Sequence, residues 1–172
     1  MSGGTYEGAL REIIHAFKYQ GRRSLADPLG GILRDAGSVL LEGCDHVVVP
    51  VPLHPWRRMR RGFNQARDLA KRLDRHPVVD ALWRVRSTRS QMTLNADARH
   101  SNVRGAFIVS PLLTGRARLD GVRRPLIDDR IIVLVDDVRT TGATLDECAK
   151  VLLAAGAREV RALTVAIAER AR

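Results

Sequence analysis

"IIVLVDDVRTTGATLDE", residues Ile131–Glu147, decides the fold. Five apolar residues, Ile131 to Val135, run straight into two adjacent aspartates. An unbroken apolar run of this length, bounded by turn residues, reads as a strand buried on both faces. Thr140, Thr141, Gly142, Ala143 and Thr144 follow as a short loop. From Thr144 to Ala155 the residues Leu145, Cys148, Leu152 and Leu153 recur at helical spacing, with that set turned inward. Gly156 ends the helix as a C-terminal cap. "VRALTVAIA", Val160–Ala168, then reads as a further strand.

Outward from this unit the same alternation continues. "HVVVPVP", His46–Pro52, is a short β-branched strand, and "NQARDLAKRL", Asn64–Leu73, is a helix with Ala66, Leu69, Ala70 and Leu73 on one face. Between them "HPWRRMRRG" reads as an arginine-bearing loop. Tyr6 to Leu41 reads as two helices punctuated by Gly21 and Pro28. Short strands are expected at Leu82–Arg86 and in "GAFIVS", Gly105–Ser110. Ser87–Asn102 reads as a polar loop, and Pro111–Arg130 as a connection or hairpin arm. Strands alternating with helices predict a single α/β domain over residues 1–172: an open, mostly parallel twisted sheet flanked by helices.

Composition narrows the partners. The apolar fraction is 45% and no apolar run approaches a membrane span, so global disorder and a spanning helix are both disfavoured. No secretory pattern opens the chain, and Cys44 and Cys148 match no zinc spacing, so a cytoplasmic protein is expected. The net charge is +10, and only three of the 29 basic residues are lysines. Arginine forks match phosphate oxygens. The excess therefore reads either as a polyanionic ligand, nucleic acid or phosphorylated metabolite, or as the codon bias of a GC-rich genome. The bias accounts for Arg over Lys but not for the net charge.

In open parallel sheets ligands sit beyond the carboxyl ends of the strands. Asp136 and Asp137 stand at that edge as acceptors. The loop behind them opens a helix, so its amides and threonine hydroxyls form a donor cup for an anion. An acceptor pair beside such a cup suits a sugar phosphate, with or without a divalent cation. Other candidates are bland. His54 reads as structural or exposed, Cys148 as core, and Trp56 and Trp83 as packing residues. Aromatic residues make up only 4% of the chain, which disfavours a single-strand binder built on stacking.

"VLVDDVRTTGAT" resembles the PRPP-binding signature of type I phosphoribosyltransferases. "VPVPLHPWRRMRRGFNQARDLAKRL", "YEGALREIIHAFKYQG" and "RSTRSQMTLNADARHSNVRGAF" resemble segments of the ComF-type competence proteins. The resemblance implies that Asp136 and Asp137 bind the ribose hydroxyls and that Thr140, Thr141, Gly142, Ala143 and Thr144 cradle the 5-phosphate. It implies that Arg57, Arg58, Arg61 and Gly62 meet the pyrophosphate. Gln91 and Arg99 would lie on a flexible catalytic loop spanning Thr88–Asn102. Mg²⁺ would be held near Asp136 and Asp137, mainly through ligand oxygens. Residues 1–45, with 111–130, would form a small hood that sets the acceptor. Many members carry an N-terminal cysteine-rich zinc module, and this chain begins just after where it would sit. The expected activity is phosphoribosyl transfer to an amine or nucleobase. The alternatives are a PRPP- or nucleotide-sensing regulator and a DNA-uptake accessory that contacts DNA or competence proteins. A homodimer is the default assembly.

Overall fold

The computed structural model describes residues 1–42, 46–73, 76–86, 103–111, 113 and 126–168. Its centre is a three-stranded sheet. Strands β1 (His46–Pro50), β4 (Ile131–Arg139) and β5 (Glu159–Ile167) lie in the order β1-β4-β5, both pairings parallel. Ile131 to Val135 are all buried, as a strand with neighbours on both edges and layers on both faces requires. The outer edges do not stay bare. Val78 bridges to Val48 beside β1, and Ser2 and Thr5 bridge to Thr164 and Ile167 beside β5. These segments satisfy edge amides that a bare parallel sheet would leave open.

The two faces build two cores. On one side Val48, Val133, Val135, Leu163 and Val165 pack with α1 (Gly8–Tyr19), α2 (Ala26–Leu41) and α4 (Gln65–Ala70). On the other, Val47, Val49, Ile132 and Leu134 pack with α5 (Ala143–Ala154) and a small second sheet. That sheet pairs β2 (Leu82–Arg84) antiparallel with β3 (Phe107–Val109). The expected order of elements is therefore present in an open, parallel, helix-flanked sheet.

Several expectations are corrected. The strand does not stop at Val135: it carries both aspartates within β4, because β5 supplies partners as far as Ile167. The expected arginine loop is a helix, α3 (Pro55–Arg61). His54 Nδ1 caps it by accepting the Trp56 N–H at 3.3 Å, Pro55 sits in its first turn, and Gly62 ends it with φ +78°. The strands near Leu82 and Phe107 leave the parallel sheet for their own pair. Pro28 lies inside the first turn of α2 rather than between helices, where its missing N–H costs little. Leu153 is exposed, one residue beyond buried Leu152 and so about 100° around the helix. Trp56 and Trp83 are 59% and 46% exposed, not packed.

Gly156 does end α5, with φ +99°. The Ala157 N–H donates to the Leu152 carbonyl and the Gly156 N–H to the Leu153 carbonyl, both at 3.1 Å, closing a Schellman turn. Within the expected arm, residues 112 and 114–125 lie outside the described residues. Its last part anchors Ile127 in the core and leads into β4. Among the described residues no helix is long and apolar enough to cross a membrane.

Candidate functional site

Extended backbone sends successive side chains to opposite faces, and this splits the acid pair. Asp137 turns toward α1. Its Oδ1 lies 2.8 Å from Lys18 Nζ, with the two side chains only 11% and 16% exposed. Asp136 turns the other way, toward α5 and the small sheet, where its charge acts on Arg84 and Cys148. The two remain linked by a backbone contact, the Asp137 N–H donating to Asp136 Oδ1 at 2.9 Å.

Their electrostatics differ accordingly. The Asp136 carboxyl is pushed up to about 7, first by burial and then by the charge of Asp137; Lys18 and Arg84 pull it back only in part. For Lys18 burial pulls downward, but the charge and hydrogen bond of Asp137 outweigh it, so the ammonium is held above the ordinary lysine range. Burial, with Asp136 beside it, pushes the Cys148 thiol well up, which keeps it protonated and inert.

Behind Asp136 the chain turns sharply. Gly142 takes φ +87°, and the first helical bond of α5 runs from the Asp146 N–H to the Gly142 carbonyl at 2.9 Å. Asp136, Arg139, Thr140, Gly142 and Thr144 line one cleft together with Val138 and Leu145. Ala143 is buried in the core, and the Thr141 hydroxyl accepts the Ala143 N–H at 3.4 Å. The cleft thus holds Asp136 with three of the five expected loop residues. Asp137, Thr141 and Ala143 do not line it.

A row of cations approaches Asp136 from α3 and β2. Arg61 is fixed three ways: to Gln65 Oε1 at 3.0 Å, to the Tyr19 hydroxyl at 3.0 Å, and over the Tyr19 ring at 4.7 Å. Arg57 lies next to it and is held below the usual guanidinium range by burial and then by Arg61. Arg84 follows, 8% exposed, with its guanidinium 5.2 Å from the Phe107 ring centre. Burial, and then the charge of Arg57, lower it in turn, while Cys148 and Asp136 oppose. Like charges crowded in this way gain from a bound polyanion. Arg58 points outward into solvent, and Gly62 serves as the helix terminus. Gln91 and Arg99 lie outside the described residues.

Two members of this group escaped sequence reading. Lys18 sits in an ordinary amphipathic helix, and nothing local marks its pairing with a residue 119 positions away. Arg84 does leave a signal: a charge at the inward position of a strand, two residues after Leu82.

Carboxylate oxygens suit Mg²⁺, which usually takes one or two of them together with substrate phosphates. This pair cannot chelate one ion from both sides, because the pleat separates the carboxylates and one is already ion-paired. Its donor set fits an ion held by Asp136 and ligand oxygens. Among the described residues no group of three or more His, Cys, Asp or Glu is arranged to hold a metal.

A parallel sheet with its acid pair at the carboxyl end, a glycine turn into a helix and a cationic row is the architecture of a phosphoribosyltransferase-type domain. The phosphoribosyl transferase domain family matches residues 59–172, and the chain belongs to that family. Within it the chain is of the ComF type. It is 33% identical over 166 residues to Competence protein F of Haemophilus influenzae, covering 92% of this chain and 68% of that protein. It is 34% identical over 168 residues to the DNA utilization protein YhgH of Escherichia coli, covering 91% and 66%. Competence protein ComFC of Bacillus subtilis is 29% identical over 157 residues, covering 88% and 57%. The chain thus spans about two thirds or less of the length of these relatives.

Proposed function

We propose that this chain binds PRPP and transfers its phosphoribosyl group to an amine or nucleobase acceptor, releasing pyrophosphate, in a cytoplasmic role linked to competence or DNA use. The observation that carries the reading is the meeting of three unlike features around Asp136: a carboxylate, a helix-opening loop, and the row Arg84, Arg57 and Arg61. One ligand with hydroxyls, a monophosphate and a pyrophosphate matches all three.

Asp136 accepts hydrogen bonds from ribose hydroxyls. Amides at the opening of α5, with Thr140 and Thr144, hold the 5-phosphate. Arg57, Arg61 and Arg84 face the pyrophosphate. As the bond to the anomeric carbon breaks, positive charge grows on the sugar and negative charge on the leaving group. The arginines stabilise the second, and the carboxylate lies on the side of the first. Asp136 and ligand oxygens would hold Mg²⁺, which when bound would supply further charge neutralisation for the leaving group. No activated nucleophile is needed, since positioning and charge compensation supply the catalysis. A regulator that binds PRPP without turnover uses the same contacts and differs only in lacking an acceptor.

Thermal melting with PRPP and Mg²⁺ tests the shared premise. The melting temperature is expected to rise, because the ligand binds only the folded state; at a hundredfold excess over Kd the gain is about 2.7 kcal/mol. No shift at millimolar PRPP sinks the reading. Pyrophosphate release across a panel of amine and nucleobase acceptors then separates enzyme from regulator.

A second reading has its own support. The outer face of α3 presents Trp56, 59% exposed, and Met59, 77% exposed, with Arg60 over the indole at 5.9 Å. An exposed indole and guanidinium beside further arginines suit the bases and phosphates of single-stranded DNA. Arg60 pairs with Trp56 and Arg61 with Tyr19, about 100° apart around the helix, so a ligand on the indole is compatible with PRPP binding.

A further inference from the structure

We infer that Lys18 is the resident counter-ion of the acid pair and a positioning residue for it: its ammonium takes the cation place at Asp137 and leaves Asp136 as the carboxylate that meets ligand. The inference deepens the PRPP reading, on which its functional half rests.

Three observations carry it. The Lys18–Asp137 pair is close, at 2.8 Å, and shielded from water on both sides. Lys18 is delivered by a fixed element: its neighbour Phe17 and Ile14, one helical turn back, are fully buried, and the Phe17 ring lies 5.4 Å from that of Phe63. The Asp136 carboxylate has a different partner, the main-chain N–H of Asp137 at 2.9 Å, so the two acids are held separately on opposite faces of β4. A basic residue in the last turn of a helix is common for dipole reasons alone, but the dipole demands neither burial nor a carboxylate partner.

The choice of side chain is informative. Only three of the 29 basic residues in the chain are lysines, and one of them is the cation placed here. A compact ammonium fits a buried carboxylate as a point charge, without the planar fork of arginine. The titratable groups around this pair are Tyr6 just before α1, Asp136 on β4 and, on the far face of the sheet, Arg84. With Lys18 in place the acid pair carries at most one uncompensated charge, that of Asp136. That lowers the repulsion toward a ligand with several phosphates, and it removes Asp137 from competition for a divalent cation.

Two measurements, each begun on the ligand-free protein, test this. In the first, Mn²⁺ is titrated and the free ion followed by electron paramagnetic resonance. Wild type is expected to bind no stoichiometric Mn²⁺ below millimolar concentration. Lys18→Met is expected to bind Mn²⁺ measurably more tightly than wild type, and Lys18→Met with Asp137→Asn to lose that gain. Stoichiometric binding in wild type that disappears in Asp137→Asn overturns the inference, as does a folded Lys18→Met whose Mn²⁺ affinity is no higher than that of wild type. In the second, ammonium resonances of ¹⁵N-labelled protein are recorded, which needs no destabilised variant and has few lysines to assign. One slowly exchanging signal is expected, absent in Asp137→Asn and still present after PRPP and Mg²⁺ are added. A fast-exchanging Lys18, or one whose signal moves to a new partner with PRPP, overturns it. Failure of the PRPP reading shows separately, as a missing melting shift with both ligand-free results intact.

Discussion

At the scale of single residues, two aspartates adjacent in sequence occupy unlike environments. The pattern "DD" after an apolar run announces an acidic edge. It does not say that the edge is still strand, that the pleat divides the pair, or that one member has a private ammonium. The division has a measurable consequence at Asp136. Its folded-state value of about 7 stands well above the ordinary 3.8. Between those values the folded chain keeps a proton that the unfolded chain has released. Stability is therefore expected to fall as pH rises from about 4 to about 7, and to level off above that. Asp136→Asn removes the charged form and keeps an oxygen for the Asp137 N–H. The variant should match wild type near pH 4 and exceed it at pH 8, by a few kcal/mol at most, while losing the PRPP-induced shift. Melting curves at the two pH values decide the matter: an Asn variant less stable than wild type at pH 8 rules out burial of a strained carboxylate.

At the scale of elements, what was legible is what periodicity encodes. The unbroken apolar runs became β1 and the first half of β4, and the spacing of Leu145, Cys148 and Leu152 became the inner face of α5. The end of β4 was illegible because strand continuation past a charge depends on the partner strand, not on the residue itself. The helix α3 was illegible for the opposite reason: it has no buried residue and hence no apolar period. Its signals were only terminal, Pro55 near the start and Gly62 past the end. Those termini matter, because seven residues of helix aim Arg57 and Arg61 inward while Arg58 and Arg60 point out. Gly62→Ala isolates the effect. At φ +78° a Cβ meets no atom within 4 Å, so the cost is purely conformational, about 1 kcal/mol. The variant is expected to melt slightly lower and to bind PRPP several-fold more weakly, read by calorimetry. Unchanged affinity at lowered stability assigns the cap to folding alone and detaches α3 from the ligand.

At the scale of the whole molecule, the net charge is +10, and the basic residues of α3 and around the acid pair fall into two settings. Lys18, Arg57, Arg61 and Arg84 are partly or wholly withdrawn from water around the acid pair. Arg58 and Arg60 are exposed on α3, one on either side of exposed Met59. The low aromatic content argued against a stacking surface, yet content says nothing about placement, and both tryptophans are exposed. If the outer face of α3 meets single-stranded DNA, its two exposed arginines should release counterions on binding. The logarithm of affinity then falls linearly with the logarithm of salt, and Arg58→Ala with Arg60→Ala should flatten that slope by about 1.4, at roughly 0.7 per phosphate contact. Trp56→Ala should cost a further ~1–3 kcal/mol of stacking without changing the slope. Neither change touches Asp136 or the loop behind it, so the PRPP-induced melting shift should survive both. Fluorescence anisotropy with an oligothymidine across a salt series separates the possibilities. A slope unaltered by the arginine pair, or an affinity indifferent to Trp56, means that DNA is not bound on this face and that its exposed aromatic serves something else.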